Sequence, residues 1–239
     1  VGYATWNPDK PFEQWQWHEV GNGNFAHGLG YGDINGDDKI DLIGPSGWWQ
    51  QPANLSEAWT YHNENFGANG AQIYTYDVDG DGDNDVISSL SAHGWGLAWF
   101  EQTKDKKFHR HVIMGSRPED NAYGVKFSQL HALELIDMNG DGLKDIVTGK
   151  CYFAHNGNDP GAKDPTVMAW FELKRNNGEV NYVPHIMDSD SGLGRQIALG
   201  DINGDGKPDV VSANKKGSFL FTQERKVVNN DEFIASQPK

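Results

Sequence analysis

One nine-residue pattern occurs four times in this chain. The copies are Asp33-Ile-Asn35-Gly-Asp37-Asp-Lys39-Ile-Asp41, Asp77-Val-Asp79-Gly-Asp81-Gly-Asp83-Asn-Asp85, Asp137-Met-Asn139-Gly-Asp141-Gly-Leu143-Lys-Asp145 and Asp201-Ile-Asn203-Gly-Asp205-Gly-Lys207-Pro-Asp209. Their first aspartates are 44, 60 and 64 residues apart. Repeats of that length are supersecondary units that bury their apolar faces only by stacking on one another.

The chemistry of the pattern points to a hard cation. Calcium takes six to eight oxygen ligands, and a tight turn must fold several of them around it. Positions one, three, five and nine offer carboxylate or amide oxygens, and position seven (Lys39, Asp83, Leu143, Lys207) can add its backbone carbonyl. Glycine at positions four and six permits left-handed backbone there, and Asp38, at position six of the first loop, belongs to the few residue types that tolerate it. Up to four Ca²⁺ ions are therefore expected. No soft ligand lies in a loop, which argues against zinc or copper at these positions. An EF-hand would need Glu at position twelve, where this chain has Gly44, Ser88, Thr148 and Ser212.

The loops join strands. Ile73–Tyr76, Leu133–Ile136 and Ile197–Gly200 precede them, and Asp41–Ile43, Asp85–Ile87, Asp145–Val147 and Asp209–Val211 follow. A third strand is expected at Gly47–Gln50, Leu97–Glu101, Met168–Glu172 and Phe219–Thr222, and a fourth at Trp59–His62, Phe108–His111 and Tyr182–His185. Four short strands per repeat without a helical period predict an all-β fold, a β-propeller of four-stranded blades. The propeller is expected over residues 1–225, with repeats around 21–65, 66–115, 125–188 and 189–225, residues 1–20 ending a preceding blade and 226–239 a polar tail. Joining the first fourth strand to the last three strands would close a ring of four. The long spacings and the mid-blade opening favour an arc of a larger ring.

With these loops in register with the strands, the chain resembles FG-GAP/VCBS-repeat propellers over nearly its whole length. Phe25-Ala-His27-Gly-Leu-Gly, His93-Gly-Trp95-Gly and Thr148-Gly-Lys150-Cys-Tyr-Phe-Ala-His155-Asn-Gly-Asn-Asp159-Pro-Gly further resemble the propeller domain of aldos-2-ulose dehydratases in secreted bacterial proteins. That resemblance implies seven-bladed rings and lyase chemistry on oxidised sugars.

Among 239 residues the formal charge is −14, which repels nucleic acid and anionic lipid. Four divalent ions would cancel eight of those charges. No apolar run approaches the roughly 20 residues of a membrane span, nothing at Val1 reads as an export signal, and the lone Cys151 excludes an internal disulfide. Millimolar calcium outside the cell would fill even weak loops, so an extracellular or periplasmic location is expected.

Repetition also separates scaffold from site. Trp48, Trp99 and Trp170 share one position, Trp49, Phe100, Phe171 and Phe221 the next, and His18, His62, His111 and His185 recur in fourth strands. These read as packing and hydrogen-bonded structural residues. The exceptions are His27, His131 and Arg195, six residues before a first Asp, and His93, Lys150 and His155 in the strand-two-to-three connections, one of which outgrows the repeat at 150–164. Strand direction brings all six to one mouth, opposite the Asp loops. Histidines there can act as bases or hold an additional divalent metal, and Lys150 and Arg195 can stabilise an enolate. Glu134, an acid on an innermost strand, either is buried near the channel or faces water. Two functions are expected: a calcium-rigidified module binding carbohydrate or a partner protein, with further blades or domains of a larger polypeptide as possible neighbours, or a lyase or hydratase acting on oxidised sugars.

Overall fold

The computed structural model describes residues 1–23, 27–67 and 69–238. Seventeen strands follow in chain order: β1 (Gly2–Thr5), β2 (Gln16–Glu19), β3 (Gly30–Gly32), β4 (Asp41–Gly44), β5 (Gly47–Gln50), β6 (Thr60–Asn63), β7 (Ile73–Tyr76), β8 (Asp85–Ser89), β9 (Leu97–Gln102), β10 (Phe108–Met114), β11 (Leu133–Ile136), β12 (Asp145–Gly149), β13 (Met168–Asn176), β14 (Glu179–Asp188), β15 (Ile197–Gly200), β16 (Asp209–Asn214) and β17 (Gly217–Phe221). They form antiparallel meanders: three four-stranded blades (β3–β6, β7–β10, β11–β14), a three-stranded one (β15–β17) and the β1–β2 hairpin. The all-β propeller-blade architecture expected from the repeats is the one observed. The 226–239 segment differs, because Asn230–Ser236 is helical (α1), with the Asn229 side chain accepting from the Glu232 N–H at its start.

Alternating side chains give each blade two apolar faces, and the core lies between blades. Ile43 and Trp48 of the first blade meet Val86 and Phe100 of the second. Ile87 and Trp99 then meet Ile146 and Phe171 of the third, and Met138 and Val147 meet Ile197 and Val210 of the fourth. The recurring Trp row therefore faces the next blade and the Phe row the previous one. Leu220 fills the Trp position of the β15–β17 blade and is 54% exposed, with no further blade packed on it among the described residues.

Each recurring histidine stacks on the strand-three aromatic beside it: Trp48–His62, Trp99–His111 and Trp170–His185 have ring centroids 4.1, 4.3 and 4.3 Å apart and planes within 14°. Tyr3–His18 repeats the geometry at 4.7 Å. Every one of these rings also hydrogen-bonds strand three, to Thr5, Gln50, Glu101 and Glu172 in turn. Polar side chains then fasten blade to blade at the loops. The Gln102 amide donates to the Ile34 carbonyl, the Arg175 guanidinium to the carbonyls of Val78 and Asp77, and the Gln223 amide to that of Met138.

Candidate functional site

The Asp loops connect strands one and two of each blade. Their backbone is the one the composition predicts: Gly36, Gly80, Gly140 and Gly204 at position four all have positive φ, and at position six Asp38 (φ 63°) matches Gly82, Gly142 and Gly206. The first aspartate caps the turn, as where Asp137 Oδ1 accepts from Gly140 N at 2.6 Å and its Oδ2 from Gly142 N at 2.8 Å.

Position nine has a structural role of its own. Asp41, Asp85, Asp145 and Asp209 are fully buried, and each carboxylate accepts two backbone N–H groups. One comes from position two, as from Val78 at 2.8 Å, and one from the end of strand three, as from Gln102 at 2.8 Å. This aspartate ties the loop to its own blade. Burial pushes Asp85 and Asp145 up to about 7. Oxygens of Asp77, Asp79 and Asp85 lie within 4.8 Å of one another. Crowded hard oxygens around buried carboxylates fit a divalent cation such as calcium.

At the other end of the strands, six residues and about 20 Å of extended chain away, the non-repeating residues meet. His27 lies just before β3, His131 just before β11, His93 between β8 and β9, and His155 in the long β12–β13 connection. His27 Nε2 and His93 Nε2 are 2.8 Å apart. The His131 ring is 4.6 Å from that of His93 and 5.3 Å from that of His27. His93 and His155 stack at 4.2 Å, and the Nδ1 of each bonds one oxygen of Asp159 at 3.0 Å. Asp159 is the residue that counting exceptions missed. Its signal was present in the same insertion as His155, four residues on.

Burial, then the neighbouring His93, Arg195 and other histidines, lowers His27. Burial, reinforced by His93, His27 and Arg195, lowers His131 to about 4. His131 is 5% exposed and its Nε2 has no hydrogen-bond partner. Imidazoles gathered around a shared carboxylate form a donor set suited to a divalent metal. Gln129, fully buried with a left-handed φ of 66°, and Ser128 add polar atoms without partners next to His131, and nothing in the repeat pattern pointed to either.

Arg195 is exposed and lines a cleft with Cys151, Tyr152 and His155 at the edge of the cluster. Lys150 is not brought to the cluster. It is 1% exposed, and its Nζ donates to the carbonyls of Ala162 (3.2 Å) and Asp164 (2.8 Å). A buried ammonium needs such acceptors, so Lys150 anchors the insertion that carries His155 and Asp159. Glu134 is partly buried and hydrogen-bonded to Tyr74 of the neighbouring inner strand. Of the sequence stretch opening at Phe25, Phe25 and Ala26 lie outside the described residues.

No curated protein matches the chain. The FG-GAP-like repeat family model matches residues 77–148 and 137–212, which together span more than half of the chain and three of the four Asp loops. The chain therefore belongs to the FG-GAP-like repeat family.

Proposed function

We propose that this protein is a calcium-rigidified propeller module that binds a carbohydrate-type ligand at its histidine mouth, where an additional divalent metal is held. The observation that carries this reading is the convergence of His27, His93, His131 and His155, with Asp159 bridging two of them. The Asp loops supply rigidity at the far end. His93, His155 and Asp159 would hold the metal, which when bound supplies a Lewis-acidic centre for ligand hydroxyl or carbonyl oxygens. His131 and Arg195 offer a neutral imidazole and a fixed cation nearby. Loops that fill only at millimolar calcium would suit an extracellular or periplasmic location. A partner protein at this mouth is the competing occupant, and saturable sugar binding that needs His93 would count against it.

A second reading is favoured by the burial that lowers the pKa of His131 and His27 and so disposes them to act as bases. A lyase or hydratase working on oxidised sugars, as in aldos-2-ulose dehydratases, needs a neutral base beside a carbonyl-binding group. In that case an imidazole of the cluster takes the proton next to the carbonyl, and Arg195 stabilises the negative charge that forms on oxygen.

Calorimetric titration of the full chain with neutral oligosaccharides and with 2-keto sugars tests both readings. Saturable binding that His93→Ala abolishes is the expected result, and turnover of the keto sugar selects the lyase. Binding of neither sugar class, or binding indifferent to His93, would contradict both.

A further inference from the structure

We propose that the four Asp loops form two affinity tiers, loops two and three tight and loops one and four weak, set by whether a position-seven lysine occupies the fifth-position carboxylate. This deepens the calcium reading and rests on it. In loop one Lys39 Nζ is 2.9 Å from Asp37 Oδ2, and in loop four Lys207 Nζ is 2.6 Å from Asp205 Oδ2. Each ammonium neutralises a carboxylate that a metal would use. Loops two and three have Asp83 and Leu143 at position seven. Lys106 pairs with Asp83 at 2.8 Å, leaving Asp81 without a lysine among the described ion pairs.

A second difference lies outside the loops and follows the same division. One strand-three position holds Gln50, Glu101, Glu172 and Thr222 in the four blades. In the third blade Glu172 Oε1 accepts from the Asn139 amide at 3.1 Å, while its other oxygen takes His185 at 2.9 Å and Lys174 at 3.1 Å. The Asn139 amide also donates to Asp141 Oδ2 at 2.9 Å, so Glu172 stands directly beside the loop, with Lys174 offsetting part of its charge. In the second blade Glu101 lines one cleft with Asp79 and His111, adding negative charge beside a loop already carrying carboxylates at positions one, three, five, seven and nine. Arg175, 3.8 Å from Asp77, offsets part of it. Loops one and four have an amide and a hydroxyl at this position and gain no charge. Affinity of calcium loops rises with the negative charge around the ion, so both differences favour the middle pair.

The consequence is a module whose two middle blades stay loaded while its two outer loops respond to calcium concentration. Isothermal titration of the chelator-stripped full chain with Ca²⁺ tests it. Two tight and two weak sites are expected, separated by at least about tenfold. Lys39→Leu with Lys207→Leu, which installs the residue loop three has naturally, should tighten the weak pair by about tenfold, since removing a cation a few ångströms from a divalent ion has that effect even in a watery dielectric. Glu101→Gln with Glu172→Gln should loosen the tight pair and leave the weak pair alone. Four equivalent sites, or variants that move neither pair, would overturn the tiers while the calcium reading stands. A wild-type chain that takes up no calcium would overturn the calcium reading and the tiers with it.

Discussion

The two ends of each inner strand follow different rules. At the loop end the same residues recur blade after blade, with Asp41, Asp85, Asp145 and Asp209 making the same pair of backbone bonds. At the mouth the blades differ, the first and third sharing only a histidine six residues before the loop. The first gives His27, the second His93, the third His131 and the His155–Asp159 insertion, the fourth Arg195. The contrast teaches that stability in this molecule is distributed and periodic, whereas its candidate chemistry is local and breaks the period. Substitutions at the two ends should therefore separate cleanly into losses of stability and losses of binding.

The largest test of that separation is removal of calcium. Each site held at a hundred times its dissociation constant adds about 2.7 kcal/mol to the folded state, so excess chelator should lower the melting temperature markedly. An unchanged melting curve would break the comparison at its loop end. Next comes the packing row: Trp99→Ala should cost about 3–5 kcal/mol by urea denaturation, as it removes a buried ring from the core between the second and third blades. Asp145→Ala strands the N–H groups of Met138 and Leu173, and about 2–4 kcal/mol of destabilisation should follow even without calcium. His185→Ala, which loses a stacked ring and the bond to Glu172, should cost about 1 kcal/mol. His155→Ala, at an exposed ring, should fall within about 0.5 kcal/mol of wild type.

The smallest effect is one of pH. Burial raises the Glu134 carboxyl above its ordinary value, and its bond to Tyr74 offsets only part of that. The folded chain then holds this proton to higher pH than the unfolded chain does. Its contribution is fully present below the ordinary carboxyl range and is lost as pH rises through the elevated value. Glu134→Gln should flatten that part of the stability profile, seen as a smaller melting difference between pH 4 and pH 7. An identical slope in both proteins would place Glu134 in water.

Most of the fold was legible because the repeat is written in the sequence four times. Loop spacing, glycine positions and β-branched runs marked where strands one and two meet, and Ile73–Tyr76, Leu133–Ile136 and Ile197–Gly200 form strands with the bounds expected of them. The α1 turn was not legible, since seven polar-rich residues with one cap give no apolar periodicity. At the mouth, the residues that break the repeat could be named, and strand direction brings the four histidines together. What spacing could not convey was the path of the 150–164 insertion. That path sends Lys150 inward to backbone carbonyls and turns Asp159 toward His93. Gln129 and Ser128 lay in a segment with no counterpart in other blades, so no comparison between blades could single them out.

The central claim, that the exceptions form a site while the recurring residues form the scaffold, is tested most directly by cobalt(II) absorption. The full chain, with its Asp loops saturated by calcium, is titrated with Co²⁺ alongside His93→Ala and His111→Ala variants. The account predicts visible bands saturating at one equivalent in wild type and in His111→Ala, and their loss in His93→Ala. Bands that survive in His93→Ala or vanish in His111→Ala, or a wild-type chain with none, would contradict it.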